Sequence, residues 1–261
     1  MGKTLILSDI HFCKKPSKVT SAKQLRTLWD SCDRLVLNGD TTEAHSSRYS
    51  CESKERAAEL IELANSDGVS TTLICGNHDP ISSEHDYIWC WDKTVLVFHG
   101  HAAFPKIAPW SWRSPLVYKA RMKYLKETGD GFHEQLLAVR RASHDSASGV
   151  FSSNRPSLPK MLLLACPAAI RVFYGWQRFP SLVSSWANQY APTSRFIITG
   201  HTHHAGIWKR DERVIINTGC FGFPSHPRAV IIDEDTLSIF RLKLSRGNYS
   251  FGRVCASWNA R

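Results

Sequence analysis

None of the eight cysteines stands in a C-x-x-C pair, which excludes zinc ribbons and thioredoxin-type motifs. Long apolar runs are missing too. The longest uncharged one, 161–170, has ten residues and contains Pro167, too short to cross a bilayer. The opening MGKTLILSDIHF has only a brief apolar stretch, broken by Asp9 and His11, and is not a secretory signal pattern. Reduced thiols and a cytoplasmic location are therefore expected. There is no internal repeat and no extended low-complexity segment. With 43% hydrophobic and 21% charged residues, the composition excludes a wholly disordered chain. A length of 261 residues fits a single α/β domain over 1–261.

The net charge is +10, and its placement says more than its size. Residues 104–195 hold thirteen Lys or Arg against four Asp or Glu, which is nine of the ten net charges. A concentrated positive field favours an anionic partner.

Apolar runs at 3–8, 34–38, 71–75 and 94–99 read as buried strands. Leu25, Leu28 and Trp29 predict a helix over 20–31. Ala57, Leu60, Ile61 and Ala64 predict another over 53–66, with Ser53 as its cap. Alternating strands and helices imply an α/β fold with a partly parallel sheet. After 195, short strands with Gly, Pro and acidic turns predict an antiparallel meander and a second sheet. Between them, 104–195 predicts a basic, aromatic-rich and mostly helical insertion. It has helices at 114–127 and 131–144, a Ser/Asn/Pro stretch at 146–159 and an apolar segment at 158–190 that includes Leu162 to Leu164.

Each of five apolar runs ends in metal-ligand residue types. They read Asp9-Ile10-His11, Gly39-Asp40, Gly76-Asn77-His78-Asp79, His99-Gly100-His101 and Gly200-His201-Thr202-His203. Ligands of open α/β sheets bind beyond the carboxyl ends of strands, so loops distant in sequence can meet there. Residues at i and i+2 of an extended chain share a side, so Asp9 with His11 and His201 with His203 each present two ligands to one place. Asp9, His11, Asp40, Asn77, His99, His201 and His203 supply more donors than one tetrahedral site takes. They suit two divalent ions about 3.5–4 Å apart with a bridging carboxylate. His99 is preferred to His101 because it directly ends its strand. Carboxylate and imidazole ligation suits manganese, the working assignment, with iron or zinc as alternatives.

This ordered set closely resembles the calcineurin-like metallophosphoesterase family, whose signature is D-x-H, G-D-x-x-D, G-N-H-[DE], H and G-H-x-H. The resemblance covers 3–99 and 195–243. It implies a four-layer α/β/β/α sandwich and a metal-dependent phosphoric ester hydrolase. It assigns one ion to Asp9, His11, Asp40 and His203, and a second to Asp40, Asn77, His99 and His201, with Asp40 bridging. Glu43 stands where the family has its second aspartate and is not expected to touch metal. His78 is expected to protonate the leaving oxygen or to hydrogen-bond the phosphate, with Asp79 orienting it. His45 and His85 lie on loops after these motifs and are candidates for substrate contact.

The insertion leaves and rejoins the chain beside His99 and His201, so it can cover the site as a lid. Its position resembles that of the helical insertion of UDP-2,3-diacylglucosamine pyrophosphatases, although their G-N-R-D motif is Gly76-Asn77-His78-Asp79 here. Three substrate readings follow. The first is a lipid-linked diphosphate, with 104–195 touching an anionic membrane from its inner face. The second is nucleic acid or a nucleotide, cations tracking phosphate and aromatics stacking on bases. The third is a small phosphomonoester or phosphodiester, with the aromatics as insertion core. A metal-free protein-binding scaffold is disfavoured, since all seven ligand positions are filled.

Overall fold

Two β-sheets lie face to face in the computed structural model, which describes residues 2–15, 17–148, 158–223 and 225–259, and for 158–166 the backbone alone. In chain order the strands are β1 (Thr4–Leu7), β2 (Arg34–Asn38), β3 (Ser70–Ile74), β4 (Tyr87–Cys90), β5 (Val95–Phe98) and β6 (Phe196–Thr199). They continue with β7 (Gly206–Arg210), β8 (Arg213–Asn217), β9 (Arg228–Ile232), β10 (Thr236–Ser245) and β11 (Asn248–Asn259). The first sheet has the order β11-β10-β9-β1-β2-β3 and the second β4-β5-β6-β8-β7. Strands β1, β2 and β3 run parallel, as do β5, β6 and β8. The helices are α1 (Ser50–Ser66), α2 (Ser114–Thr128), α3 (Phe132–Ala147) and α4 (Leu158–Tyr190).

The apolar runs are unbroken because the central strands are covered on both faces. Ile6, Val36, Val97, Ile198 and Val230 meet between the sheets. Leu5, Leu7, Leu35 and Leu37 point the other way, onto Leu25, Leu28, Ala57 and Leu60. On the second sheet Leu96, Phe98, Ile197 and Ile215 face Val139, Phe179, Val183 and Ala187 of α3 and α4. Period-two alternation thus divides each strand between two apolar layers. Three such layers make the α/β/β/α sandwich. Fully burying one such side chain contributes about 1.5–3 kcal/mol, so these layers are where the fold's stability resides.

Four sequence expectations are corrected. The segment after 20 is a 3-10 helix, Ala22–Leu28, capped by Ser21 and ended at Trp29. Helix α1 begins at Ser50, three residues before the expected cap. Ser53 lies inside it, accepting from the Glu43 N–H at 3.1 Å and donating to the Ser50 carbonyl at 3.1 Å. The strands after 195 do not form one meander: β6 and β8 are parallel members of the second sheet, and β9 to β11 complete the first. Strands β4 and β11 were not foreseen. Both lie at sheet edges; exposed polar positions dilute the apolar signal of β11, whereas β4 is apolar but only four residues long.

Helices α2 to α4 lie between β5 and β6 in the chain. The Ser/Asn/Pro stretch falls outside the described residues over 149–157, as do the side chains of Leu162 to Leu164. Among the described residues, no helix is long and apolar enough to cross a membrane.

Candidate metal centre

The carboxyl ends of β1, β2, β3, β5 and β6 open onto one crevice, and the five motifs follow them directly. Asp9, His11, Asp40, His201 and His203 all take positive φ, between 50° and 70°. Non-glycine residues rarely do so, and such outliers gather at functional sites. Gly39, at φ +79°, is required by a close approach: a Cβ there would stand 2.5 Å from His99 Nδ1.

Asp9, His11, Asp40 and His203 bring their ligand atoms within 4.8 Å of one another. His11 Nε2 and His203 Nε2 are 2.9 Å apart, and His203 Nε2 is 3.2 Å from Asp9 Oδ1. His11 Nδ1 donates to Glu43 Oε1 at 2.6 Å, which leaves its Nε2 for the cluster. Asp9 also accepts the His201 N–H and the Ser8 hydroxyl.

The other three residues form two pairs beside this cluster. His99 donates Nδ1–H to the Asn38 carbonyl at 2.9 Å. Its Nε2 is fully buried, 3.3 Å from Asp40 Oδ2, and makes no hydrogen bond. His201 Nδ1 lies 2.7 Å from Asn77 Oδ1, while its Nε2 meets the Ile107 carbonyl at 2.9 Å. Both oxygens can only accept and the neutral ring has one N–H, so one of the two contacts sets a ring lone pair against an oxygen. With the proton on Nε2 that lone pair is on Nδ1, facing Asn77, where a shared cation or the amide turning its nitrogen inward relieves the repulsion.

Charge at the site fits cation binding. Burial opposes ionisation of Asp40, yet His99 and other imidazoles hold its carboxyl well below the usual range. Burial disfavours charged His99, and Asp40 outweighs this, lifting it to about 9. His203 behaves alike against Asp9, reaching about 10. His201, with burial dominant, is pushed down to about 3. Without metal, protons on His99 and His203 thus neutralise the two buried carboxylates. The donor set is oxygen and nitrogen only, and the orphaned His99 Nε2 points at its shared carboxylate, so the residues fit divalent cations.

His78 donates its backbone N–H to Asp40 Oδ1 at 2.8 Å, which places it beside the cluster. Its Nδ1 meets Glu43 Oε2 at 3.1 Å and lies 3.3 Å from Lys14 Nζ. The expected orienting role of Asp79 is corrected. Its buried carboxylate accepts backbone N–H groups of Asp40, Thr41, Thr42 and Gly76, at 2.6–3.1 Å. Asp79 therefore fixes the loop carrying Asp40, and Glu43 is the carboxylate on His78. Glu43 is the residue that sequence reading undervalued: it joins His11, His78 and Lys14. Its spacing of three from Asp40 was the available signal.

His101 is buried with Nδ1 unpartnered, its ring 5.2 Å from His99. His45 donates its Nε2–H to the Asn77 carbonyl at 2.7 Å and lines the cavity above the site. His85 does not line it. This cavity, of about 1030 Å³, runs from Asp40, His78 and His203 to Trp112, Val172 and Phe173 of the helical segment.

By sequence, no family model and no curated protein matches the chain. Among solved structures it resembles Vps29 from Chaetomium thermophilum at 8% identity, over 99% of this chain and 95% of that one, with a TM-score of 0.50. It resembles Yfce, a phosphoesterase from E. coli, at 15% identity over 99% and 100%, with a TM-score of 0.46. It also resembles a dimetal phosphatase from Danio rerio at 11% identity over 92% and 95%, with a TM-score of 0.46. Identities this low speak to architecture and not to activity. Two facing sheets in this strand order, with five motif-bearing strand ends in one crevice, give the chain the calcineurin-like metallophosphoesterase fold.

Proposed function

We propose that this chain is a dinuclear metal-dependent phosphoester hydrolase. The carrying observation is the gathering of the Asp9, His11, Asp40 and His203 ligand atoms within 4.8 Å. In this reading Asp9, His11, Asp40 and His203 hold one ion, and Asp40, Asn77, His99 and His201 the other. Manganese is the first assignment, with iron and zinc as alternatives. Two bound divalent cations would offset the charge of phosphoryl oxygens and make water acidic enough to serve as hydroxide near neutral pH.

The chain's own groups do the rest. Asp40 sits between the two ligand sets, and Asp79 holds its loop by four backbone N–H groups. His78 lines the cavity, and with Nδ1 on Glu43 its second ring nitrogen can donate to the phosphate or to the leaving oxygen. Glu43 fixes the Nδ1 side of that ring.

The substrate we propose is an anionic phosphoester with a sizeable apolar part. Support comes from the cavity, which continues from the ligand cluster along Ile107, Trp110, Val117 and Val172. At about 1030 Å³ it is at the upper end of ordinary ligand pockets, roughly 300–1,000 Å³. Ile170, Phe173 and Tyr174 lie three and four apart on α4 at 70%, 59% and 57% exposure, flanked by Arg171 and Arg178. That face suits an anionic lipid surface in the cytoplasm. Nucleic acid is the weaker reading, because Phe104, Phe132, Phe179 and Trp186 are packed into the core over the second sheet and cannot stack on bases.

The test is hydrolysis of p-nitrophenyl alkyl phosphates with manganese, iron or zinc. Each buried methylene contributes about 0.8 kcal/mol, so kcat/KM should rise about fourfold per methylene until the cavity fills. A flat series contradicts the apolar substrate. No turnover of any member with any of the three metals contradicts the enzyme.

A further inference from the structure

Ile107 is a β-branched residue at φ +58°, buried at 2% exposure. A bulky residue in that conformation is a true outlier. Its carbonyl is the group that meets His201 Nε2, at 2.9 Å. The strained residue and the ligand it touches are 94 positions apart in the chain.

The loop around Ile107 is held from one side by a buried cation. Arg121 of α2 is 6% exposed and donates to the carbonyls of Phe104 at 2.7 Å and Ala102 at 3.1 Å, and to Gln135 Oε1 at 2.5 Å. Among the described residues, no carboxylate is in its hydrogen-bonding shell. A buried guanidinium bonded only to neutral acceptors is expensive, and here it clamps one stretch of backbone. The Ile107 N–H closes the turn on the Phe104 carbonyl at 3.0 Å. Phe104 and Trp110 box the His201 ring, with centroids 5.5 Å and 5.4 Å away.

We infer that the first loop of the helical segment, held at positive φ at Ile107 and clamped by Arg121, positions His201 for the second ion. In this arrangement the Ile107 carbonyl accepts the Nε2–H hydrogen bond, so the Nδ1 lone pair faces Asn77. A hydrogen bond of this kind fixes both tautomer and ring orientation of a ligating histidine, and losing such a partner typically weakens metal about 10–100-fold. Arg121 touches no ligand atom; it is a positioning residue acting through backbone. Among the described residues, no backbone carbonyl of the helical segment meets a ring of the first ligand set: His11 is held by Glu43, and Asp9 by Ser8 and the His201 N–H. The helical segment is therefore part of the metal centre, not a detachable cover. Ile107 and Trp110 also line the cavity, so a ligand there presses on the element that aims His201.

This inference rests on the proposed dinuclear reading for the second ion, but not for the state of the His201 ring. Nitrogen-resolved NMR of imidazoles in the metal-free full chain should show His201 as a single Nε2–H tautomer. Finding the Nδ1–H tautomer, or a mixture, overturns the inference, whatever metal the chain binds. Titration with manganese followed by calorimetry then reads the two ions separately. Arg121→Leu should weaken the second ion about 10–100-fold and leave the first unchanged. Ile107→Pro locks φ near −65° and should give the same selective loss with Arg121 intact. Equal weakening of both ions, or of neither, in a variant that stays folded overturns the inference. If both variants unfold, the tautomer of the unsubstituted chain still decides. A chain that binds no metal yet shows the Nε2–H tautomer refutes the proposed function and leaves the geometry of His201 standing.

Discussion

Glu43→Gln probes the junction between metal holding and proton delivery. Glu43 is 2% exposed, and its two oxygens contact His11 at 2.6 Å, Lys14 at 2.6 Å and His78 at 3.1 Å. Glutamine keeps the shape but offers one acceptor oxygen in place of two, so at least one of these groups loses its partner. Burial pushes His11 down to about 4, so it is neutral at pH 7 and the loss is that of a hydrogen bond to a carboxylate, about 1.5–3 kcal/mol. Lys14 is a third exposed, so its share is small. Burial pushes the Glu43 carboxyl up, but His11 and His78 hold it far below its ordinary value of 4.5. A depressed folded pKa means stabilisation that is complete above about 4.5 and is lost as pH falls further. Urea unfolding of the metal-free proteins should therefore show a constant deficit for the variant from neutral pH down to about pH 5, shrinking below that. Loss of the carboxylate on His11 should also weaken the first ion about 10–100-fold. Turnover of substrates with poor leaving groups should fall further, through His78. Unchanged metal affinity together with an unchanged unfolding curve would refute the place given to Glu43.

Other expectations follow from the same geometry. His78→Ala should keep both ions while turnover drops by about 10²–10⁴; with p-nitrophenol leaving groups the loss should nearly vanish, and an equal loss for both kinds removes the acid role. Asp79→Ala strips the acceptor from four backbone N–H groups, each worth about 1–3 kcal/mol when left buried and unpaired; a fall in unfolding free energy under 1 kcal/mol would contradict its bracing role. Because His99 and His203 sit at about 9 and 10 without metal, loading at pH 7 should expel about two protons per chain, read from the buffer dependence of the calorimetric heat; no proton release contradicts the assigned ligands.

The sandwich and the crevice were legible because each motif follows an unbroken apolar run, and such runs mark strands buried on both faces. Asp9, His11, Asp40 and His203 could be read as one place because parallel strand ends face one way. Three features could not be read. The role of Asp79 lies in its acceptance of backbone N–H groups, which no residue pattern records. Strand β11 joins the first sheet at its edge, where exposed positions dilute the apolar signal. The hold on His201 comes from the backbone carbonyl of Ile107, a group every residue has. What marks it is a positive φ at a β-branched residue, visible only in three dimensions. The aromatic residues of 104–195 were ambiguous for a related reason: spacing along the chain cannot tell the packed Phe104 and Phe179 from the exposed Phe173 and Tyr174.

The central claim is that two metal ions share Asp40. The direct measurement is metal content per chain after loading with manganese, for the unsubstituted protein and for Asp40→Asn. The unsubstituted chain should hold two ions. Asp40→Asn should lose more than any other single ligand substitution, because one charge serves both ions. One ion or none in the unsubstituted chain, or two ions retained by Asp40→Asn, would contradict it.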